Sequence, residues 1–194
     1  MEPELRQLLT ELETTGREHD AHEPEHSKRM LNLEPDTAHL ISILVRSSRR
    51  TRLLEIGTSN GYSTIWLAWS AQAADGHVIS IDRNADKHTL AEQNLQRAGL
   101  RDRVELKLGD ATEIIAALPG TFDLVFFDAD RLSAPAQLKL LLPKLSPGAL
   151  VLADNALSHP AEIAPYLDAL TALPAFEHQI VPVGKGLSLA YKVR

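Results

Sequence analysis

One stretch limits what this chain can become: Arg52-Leu53-Leu54-Glu55-Ile56-Gly57-Thr58-Ser59-Asn60-Gly61-Tyr62-Ser63-Thr64. A short apolar run, an acid near its end, two glycines and then a helical pattern predict a strand, a tight turn and a helix N-terminus. Gly57 frees the backbone at the strand exit, and Gly61 permits close helix-to-strand packing. Thr58, Ser59 and Asn60 are the cap candidates for a helix running to Ala73. In an open α/β sheet such a turn cradles a nucleotide. A dinucleotide fingerprint, G-x-G-x-x-G, needs a middle glycine where a pyrophosphate approaches the backbone. Here that glycine is missing, and Glu55 sets a carboxylate beside the turn, where it would repel phosphate.

The following segments narrow the ligand. His77-Val78-Ile79-Ser80-Ile81-Asp82 reads as a second strand ending in an acid suited to gripping two ribose hydroxyls, with Arg83 next to it. Lys107-Leu108-Gly109-Asp110-Ala111 follows a third strand, and its acid or neighbouring backbone is placed to meet an adenine amino group. No phosphate binder stands among these elements. The expected ligand is an adenosine without phosphates.

The rest of the chain alternates strands and helices. Leu5, Leu8, Leu9 and Leu12 mark an amphipathic helix that Gly16 is expected to stop. His19, His22 and His26 follow among acids, but Pro24 interrupts any helix there, so Glu18 to His26 is expected to be a partly irregular linker. After Met30 to Pro35, Asp36 or Thr37 can cap a helix carrying Leu40, Ile41, Leu44 and Val45. Beyond the organising turn come strand 77–81, helix 85–98, strand 103–108, short helix 111–118 and the apolar run Phe122 to Phe127. A helix that continues through Leu138 to Leu145, a turn at Ser146-Pro147-Gly148, strand 149–153, helix 160–173 and a hairpin of 177–182 with 187–193 complete it. Nearly continuous apolar strands are those of a sheet buried on both faces. The pattern predicts an α/β, doubly wound, mainly parallel sheet with one antiparallel strand in the C-terminal hairpin.

Composition sets bounds on partners. A chain of 194 residues fits a single domain, 1–194, and its 44% hydrophobic and 24% charged content is ordinary for a globular protein. There is no cysteine, so disulfides and thiolate metal sites are excluded. No segment approaches the roughly 18 apolar residues of a membrane span, and a cytoplasmic location is expected. A net charge of −6 argues against nucleic acid; the one compact basic cluster, Arg46 to Arg52, reads as a solvated loop. A small molecule is the expected partner.

Glu-Ile-Gly-Thr-x-x-Gly-Tyr-Ser at the turn, Asp82, Gly109-Asp110-Ala111, Phe127-Asp128-Ala129-Asp130 and Asp154-Asn155 together resemble the class I S-adenosylmethionine-dependent O-methyltransferases. Within them the pattern is most similar to the caffeoyl-CoA and catechol branch, from about Met30 to the C-terminus. The resemblance implies a Rossmann-like core, 49–194, of seven strands behind a helical segment, 1–48. It implies a donor site of Glu55, Gly57, Thr58, Ser59, Gly61, Ser63, Asp82, Arg83, Asp110, Ala111, Asp128 and Asp130, under a loop around Asn32. It also implies a homodimer, with the N-terminal helix as a candidate contact.

Asp128 and Asp130 close one strand, and Asp154 and Asn155 the next. Oxygen donors on adjacent strand ends make a hard-cation site of the kind Mg²⁺ prefers. The resemblance assigns ligation to Asp128, Asp154 and Asn155. Such a cation would chelate neighbouring hydroxyls of a catechol-like acceptor and stabilise the oxyanion. Where the family commonly has Asp-Ala-Asp-Lys, with that lysine held to be the base in the catechol branch, Arg131 stands here and cannot lose a proton near neutral pH. It is expected to steady an anion, and His159 becomes the candidate base. Two alternatives stay open: a metal-independent small-molecule methyltransferase, and a non-catalytic S-adenosylmethionine-binding regulatory protein.

Overall fold

A computed structural model describes residues 1–193. Two helices lead the chain, α1 (Pro3–His22) and α2 (Pro35–Ser47). Then β1 (Arg52–Ile56), α3 (Tyr62–Ala71), β2 (His77–Asp82), α4 (Ala85–Arg97), β3 (Val104–Leu108) and α5 (Ala111–Ala117) alternate. The second half holds β4 (Phe122–Phe127), α6 (Ala134–Leu141), β5 (Leu145–Ala153), α7 (Pro160–Thr171), β6 (Phe176–Val181) and β7 (Leu187–Lys192). The seven strands form one sheet in the order β3-β2-β1-β4-β5-β7-β6. Only β7 runs antiparallel to its neighbours. The order reverses between β1 and β4, the position at which doubly wound sheets open a crevice for ligands.

Strand side chains alternate between two cores. Leu53, Leu124, Phe126 and Leu152 pack with α1, α2 and α3. Leu54, Val125, Phe127, Val151 and Ala153 pack with α5, α6 and α7. Both faces are thus covered, which is why β4 and β5 carry so few polar residues. Glu55 lies on the first face and is fully buried.

Several boundaries differ from expectation for identifiable reasons. Gly16 does not stop α1: it sits mid-helix, where a Cβ would come within 2.5 Å of Asn32 Nδ2, so glycine serves close packing there. The helix continues to His22, taking in the first five residues of the expected linker, with Glu18 O as partner of His22 Nδ1 at 2.8 Å. Neither Asp36 nor Thr37 caps α2; Pro35 begins it and Thr37 is buried. A Cβ on Gly61 would lie 3.2 Å from Ala91, so that glycine admits α4 rather than a strand. Pro135 lies in the first turn of α6, which ends four residues before the expected Leu145. Ser146-Pro147-Gly148 is a bulge inside β5 and not a turn before it, since Phe122 faces Leu145 while Leu124 faces Leu150.

The N-terminal segment is built into this body. Leu5, Leu8, Leu9 and Leu12 are buried, and Tyr62 Oη donates to Glu13 Oε1 at 2.5 Å. The apolar stripe of α1 is therefore used within the chain. The basic cluster is not a free loop either: Arg46 stacks over Trp69 at 4.9 Å, and Arg50 Nη1 donates to the Gly148 carbonyl at 2.7 Å. Among the described residues no helix is long and apolar enough to cross a membrane.

Candidate active site

The parallel ladder continues one residue past β1, β3, β4 and β5. Gly109 N donates to Asp82 O (2.9 Å), Gly57 N to Ile81 O (2.9 Å), Asp128 N to Ile56 O (2.8 Å) and Asp154 N to Phe127 O (3.0 Å). Main-chain bonds therefore set the exits of β1 to β5 in register, and the functional acids stand side by side along them. At the switch point Gly57 has φ +109°, and a Cβ there would collide with the Asp128 carbonyl. Only glycine lets the β1 and β4 exits approach this closely.

The turn after β1 is held from several directions. The Glu55 Oε2 oxygen accepts from Ser80 Oγ at 2.6 Å and from Thr64 Oγ1, while Thr58 Oγ1 pairs with Ser80 Oγ at 2.6 Å. Glu55 Oε1 is buried without a partner. Burial raises the Glu55 pKa to about 7, against the hydroxyls of Ser63, Ser80 and Thr64, and Asp82 adds to the rise. Asp82 accepts from Ser59 N at 2.8 Å and Asn84 N at 2.9 Å. Of the three cap candidates only Asn60 reaches the first turn of α3, accepting from Tyr62 N at 3.2 Å. Ser63 is buried beside Glu55 and Arg83 is exposed beyond Asp82.

The loop before α2 lies across this turn. Ser59 Oγ donates to Met30 O at 2.6 Å, and Asp20 accepts from Met30 N and Leu31 N at 2.6 and 2.8 Å. Asn32, in contrast, donates to Leu12 O at 2.9 Å and so faces α1 rather than the turn. Farther along the row, Asp110 caps α5, accepting from Thr112 N and Glu113 N at 2.8 and 3.1 Å, and leads into Ala111.

A cleft beyond β4 and β5 brings together Asp128, Asp130, Arg131, Asp154 and Asn155, with Ile56, Ala134 and Ile163 on its walls. Burial, then the neighbouring Asp154 charge, raises the Asp128 pKa; burial also raises that of Asp154. Two desolvated carboxylates share this end of the cleft, and Asp154 Oδ1 is buried with no partner. Asp154 Oδ2 accepts from Asn155 Nδ2 at 2.8 Å, and Asn155 takes φ +67° to turn its side chain there. Two aspartates and an amide oxygen suit a hard divalent cation. No group of three or more His, Cys, Asp or Glu side chains gathers at metal-binding distance among the described residues. Asp130 points elsewhere, accepting from Leu132 N (3.0 Å) and Ser133 Oγ (2.6 Å).

The two candidate catalytic residues both meet the start of α7. Arg131 grips Glu162 through Nε (2.9 Å) and Nη2 (2.7 Å). His159 is the residue before Pro160, and its Nδ1 pairs with Ser158 Oγ at 2.9 Å, which also donates to Asn155 Oδ1 at 3.0 Å. His159 is not among the residues lining the cleft. Two groups that sequence reasoning missed also belong here. Gln137 on α6 is buried in the cleft wall with Oε1 unpartnered. Lys185, in the β6–β7 joint, pairs with Glu34 at 2.6 Å. Their only linear signals were a polar residue in an apolar helix stripe and a cation between two glycines.

A Rossmann-like sheet whose first turn lacks the middle glycine of the dinucleotide fingerprint and carries the buried carboxyl of Glu55 departs from the dinucleotide-binding class. The profile of the O-methyltransferase family matches residues 4–193, and the chain belongs to that family. It is 39% identical over 116 residues to a catechol O-methyltransferase of Mycobacterium tuberculosis, covering 59% of this chain and 52% of that one, so the match spans about half of that relative. It is 27% identical to caffeoyl-CoA O-methyltransferase 2 of Populus trichocarpa, over 100% of this chain and 83% of that one. An O-methyltransferase from Bacillus cereus, solved in complex with SAH, superposes with a TM-score of 0.82 at 26% identity, over 96% of this chain and 90% of that one.

Proposed function

We propose that the protein transfers a methyl group from S-adenosylmethionine to a hydroxyl of a small, catechol-like acceptor, assisted by a divalent cation, Mg²⁺ by the chemistry of its ligands. The observation that carries the reading is the aligned row of strand exits. There, buried carboxylate oxygens without partners, Glu55 Oε1 and Asp154 Oδ1, stand on either side of the switch point. A sulfonium donor and a divalent ion are both cations, and such oxygens favour both. Family membership and the SAH-bound relative support the same choice of donor.

The turn from Gly57 to Ser63, with Asp82 and Asp110, holds the donor, and the loop tied by Ser59 to Met30 screens it from water. Asp128, Asp154 and Asn155 would hold the cation, which supplies charge stabilisation for the acceptor oxyanion. The deprotonated hydroxyl forms an O–CH3 bond as the CH3–S bond breaks, leaving a neutral thioether. Opposite charges cancel in that step, so positioning in a dry site contributes most of the acceleration. Arg131, fixed by Glu162, adds a positive field beside Asp130 without accepting a proton. His159, outside the cleft lining but tied through Ser158 to Asn155, is the candidate to take the hydroxyl proton; an unchanged pH profile of turnover from pH 6 to 9 in His159→Gln removes it from the mechanism.

The deciding experiment is methyl transfer to a panel of vicinal diols, with and without a chelator, in wild type and Asp154→Ala. Activity lost in both the chelated and the substituted protein supports the reading. Full activity in the chelator would favour metal-independent transfer. Donor binding with no turnover on any diol would favour a regulatory role. A homodimer belongs to the same reading, and light scattering at working concentration tests it.

A further inference from the structure

The Gly184-Lys185-Gly186 joint is fastened to the segment that follows the Asp154-Asn155 pair. The Lys185 carbonyl accepts from Leu157 N (2.9 Å) and Ser158 N (3.1 Å), and the Gly186 carbonyl from Ala156 N (2.8 Å). The Lys185 side chain reaches the other end of the site, where its Nζ lies 2.6 Å from Glu34 Oε1 at the head of α2. Little slack remains: a Cβ on Gly184 would collide with Thr37 Oγ1 and lie 2.9 Å from Glu34 Oε2, and one on Gly186 would lie 2.5 Å from Leu157 Cγ. Glu34 Oε2 and Thr37 Oγ1 are buried without partners, as is Asp154 Oδ1. The ammonium is thus held at Glu34, beside the segment that follows Asp154 and Asn155 and within the electrostatic reach of Asp128 and Asp154. Its charge lowers the pKa of both aspartates. Burial works against the ammonium, yet Glu34, Asp154 and Asp128 together hold its own pKa above the usual lysine value.

We propose that Lys185 is a built-in counter-cation of the Asp128 and Asp154 site, which a divalent ion must compete with, so that this lysine sets how tightly the ion binds. The inference rests on the cation-assisted reading above. Without an ion, the ammonium offsets part of the aspartate charge across the cleft. With one, the ammonium and the ion repel each other. A unit charge several ångströms from a divalent ion, in the wet dielectric of a cleft mouth, changes affinity roughly tenfold. Arg131 also lowers the Asp154 pKa, but its guanidinium is bound to Glu162 at the start of α7, away from the Glu34 carboxylate that Lys185 holds.

The test is calorimetric titration of Mg²⁺ into chelator-stripped, SAH-saturated full-length protein. Wild type, Lys185→Met, Lys185→Gln, Lys185→Arg and Asp154→Ala are compared, with thermal melts to verify folding. Lys185→Met and Lys185→Gln should each bind about tenfold more tightly, Lys185→Arg like wild type, and the difference should shrink at high salt. A lysine that merely props the hairpin would give no such charge-specific, salt-dependent gain. Equal or weaker affinity in Met and Gln variants, with binding abolished by Asp154→Ala, would overturn the role of Lys185 and leave the metal reading standing. No heat in any of the proteins would remove the metal reading, and this inference with it.

Discussion

Glu55 is a carboxyl group that water does not reach, and its behaviour follows from that. Its pKa in the folded protein is about 7 against an ordinary 4.5. Below pH 4.5 both folded and unfolded chains carry the proton and the residue adds no pH dependence to stability. From pH 4.5 to 7 the unfolded chain releases the proton and the folded chain keeps it, so stability falls as pH rises and levels off above 7. The loss should be about 3 kcal/mol. Denaturant titrations of ligand-free protein at pH 5 and pH 8 should show a smaller drop in Glu55→Gln than in wild type; parallel drops would contradict the burial argument. Gly57 gives a second prediction at this scale. Gly57→Ala must hold a Cβ at φ +109° against the Asp128 carbonyl, and should lose about 3 kcal/mol together with donor binding. Both residues were legible in the sequence, because one strand and one turn place them. Lys185 and Glu34 were not: they lie at opposite ends of the chain, and only the docking of the hairpin against α2 unites them.

At the scale of elements, the hydrophobic pattern located the central strands β1, β4 and β5 because a sheet covered on both sides leaves little choice of residue, and the edge strands β3 and β6 by their alternation. Helix ends were less legible. Gly16 carries the local signal of a stop, but the close approach of Asn32 demands the same residue for another reason. Pro147 and Gly148 read as a turn, and the bulge opposite Asp123 absorbs them without ending β5. The weight of α1 is testable. Leu9 is nearly inaccessible in the core shared with α2 and α3, so Leu9→Ala should cost about 3 kcal/mol in chemical denaturation. The Arg131–Glu162 pair at the start of α7 is partly exposed, and Glu162→Gln should change stability by less than about 1 kcal/mol. A larger loss would show that α7 depends on this pair for its docking.

At the scale of the molecule, donor occupancy should feed directly into stability. SAH at about one hundred times its Kd should add about 2.7 kcal/mol, seen as a rise in melting temperature that Gly57→Ala does not show. The continuation of the ladder beyond β1, β3, β4 and β5 has a further consequence. The amides of Gly57, Gly109, Asp128 and Asp154 are each bonded to a carbonyl on the neighbouring strand. Their hydrogens should exchange with deuterium only as slowly as those of the sheet itself, whereas the amides of Met30 and Leu31, held by the Asp20 side chain, should exchange by local opening. The loop over the β1 turn can then open while the row of acids keeps its spacing, and loss of the site in denaturant should coincide with global unfolding rather than precede it.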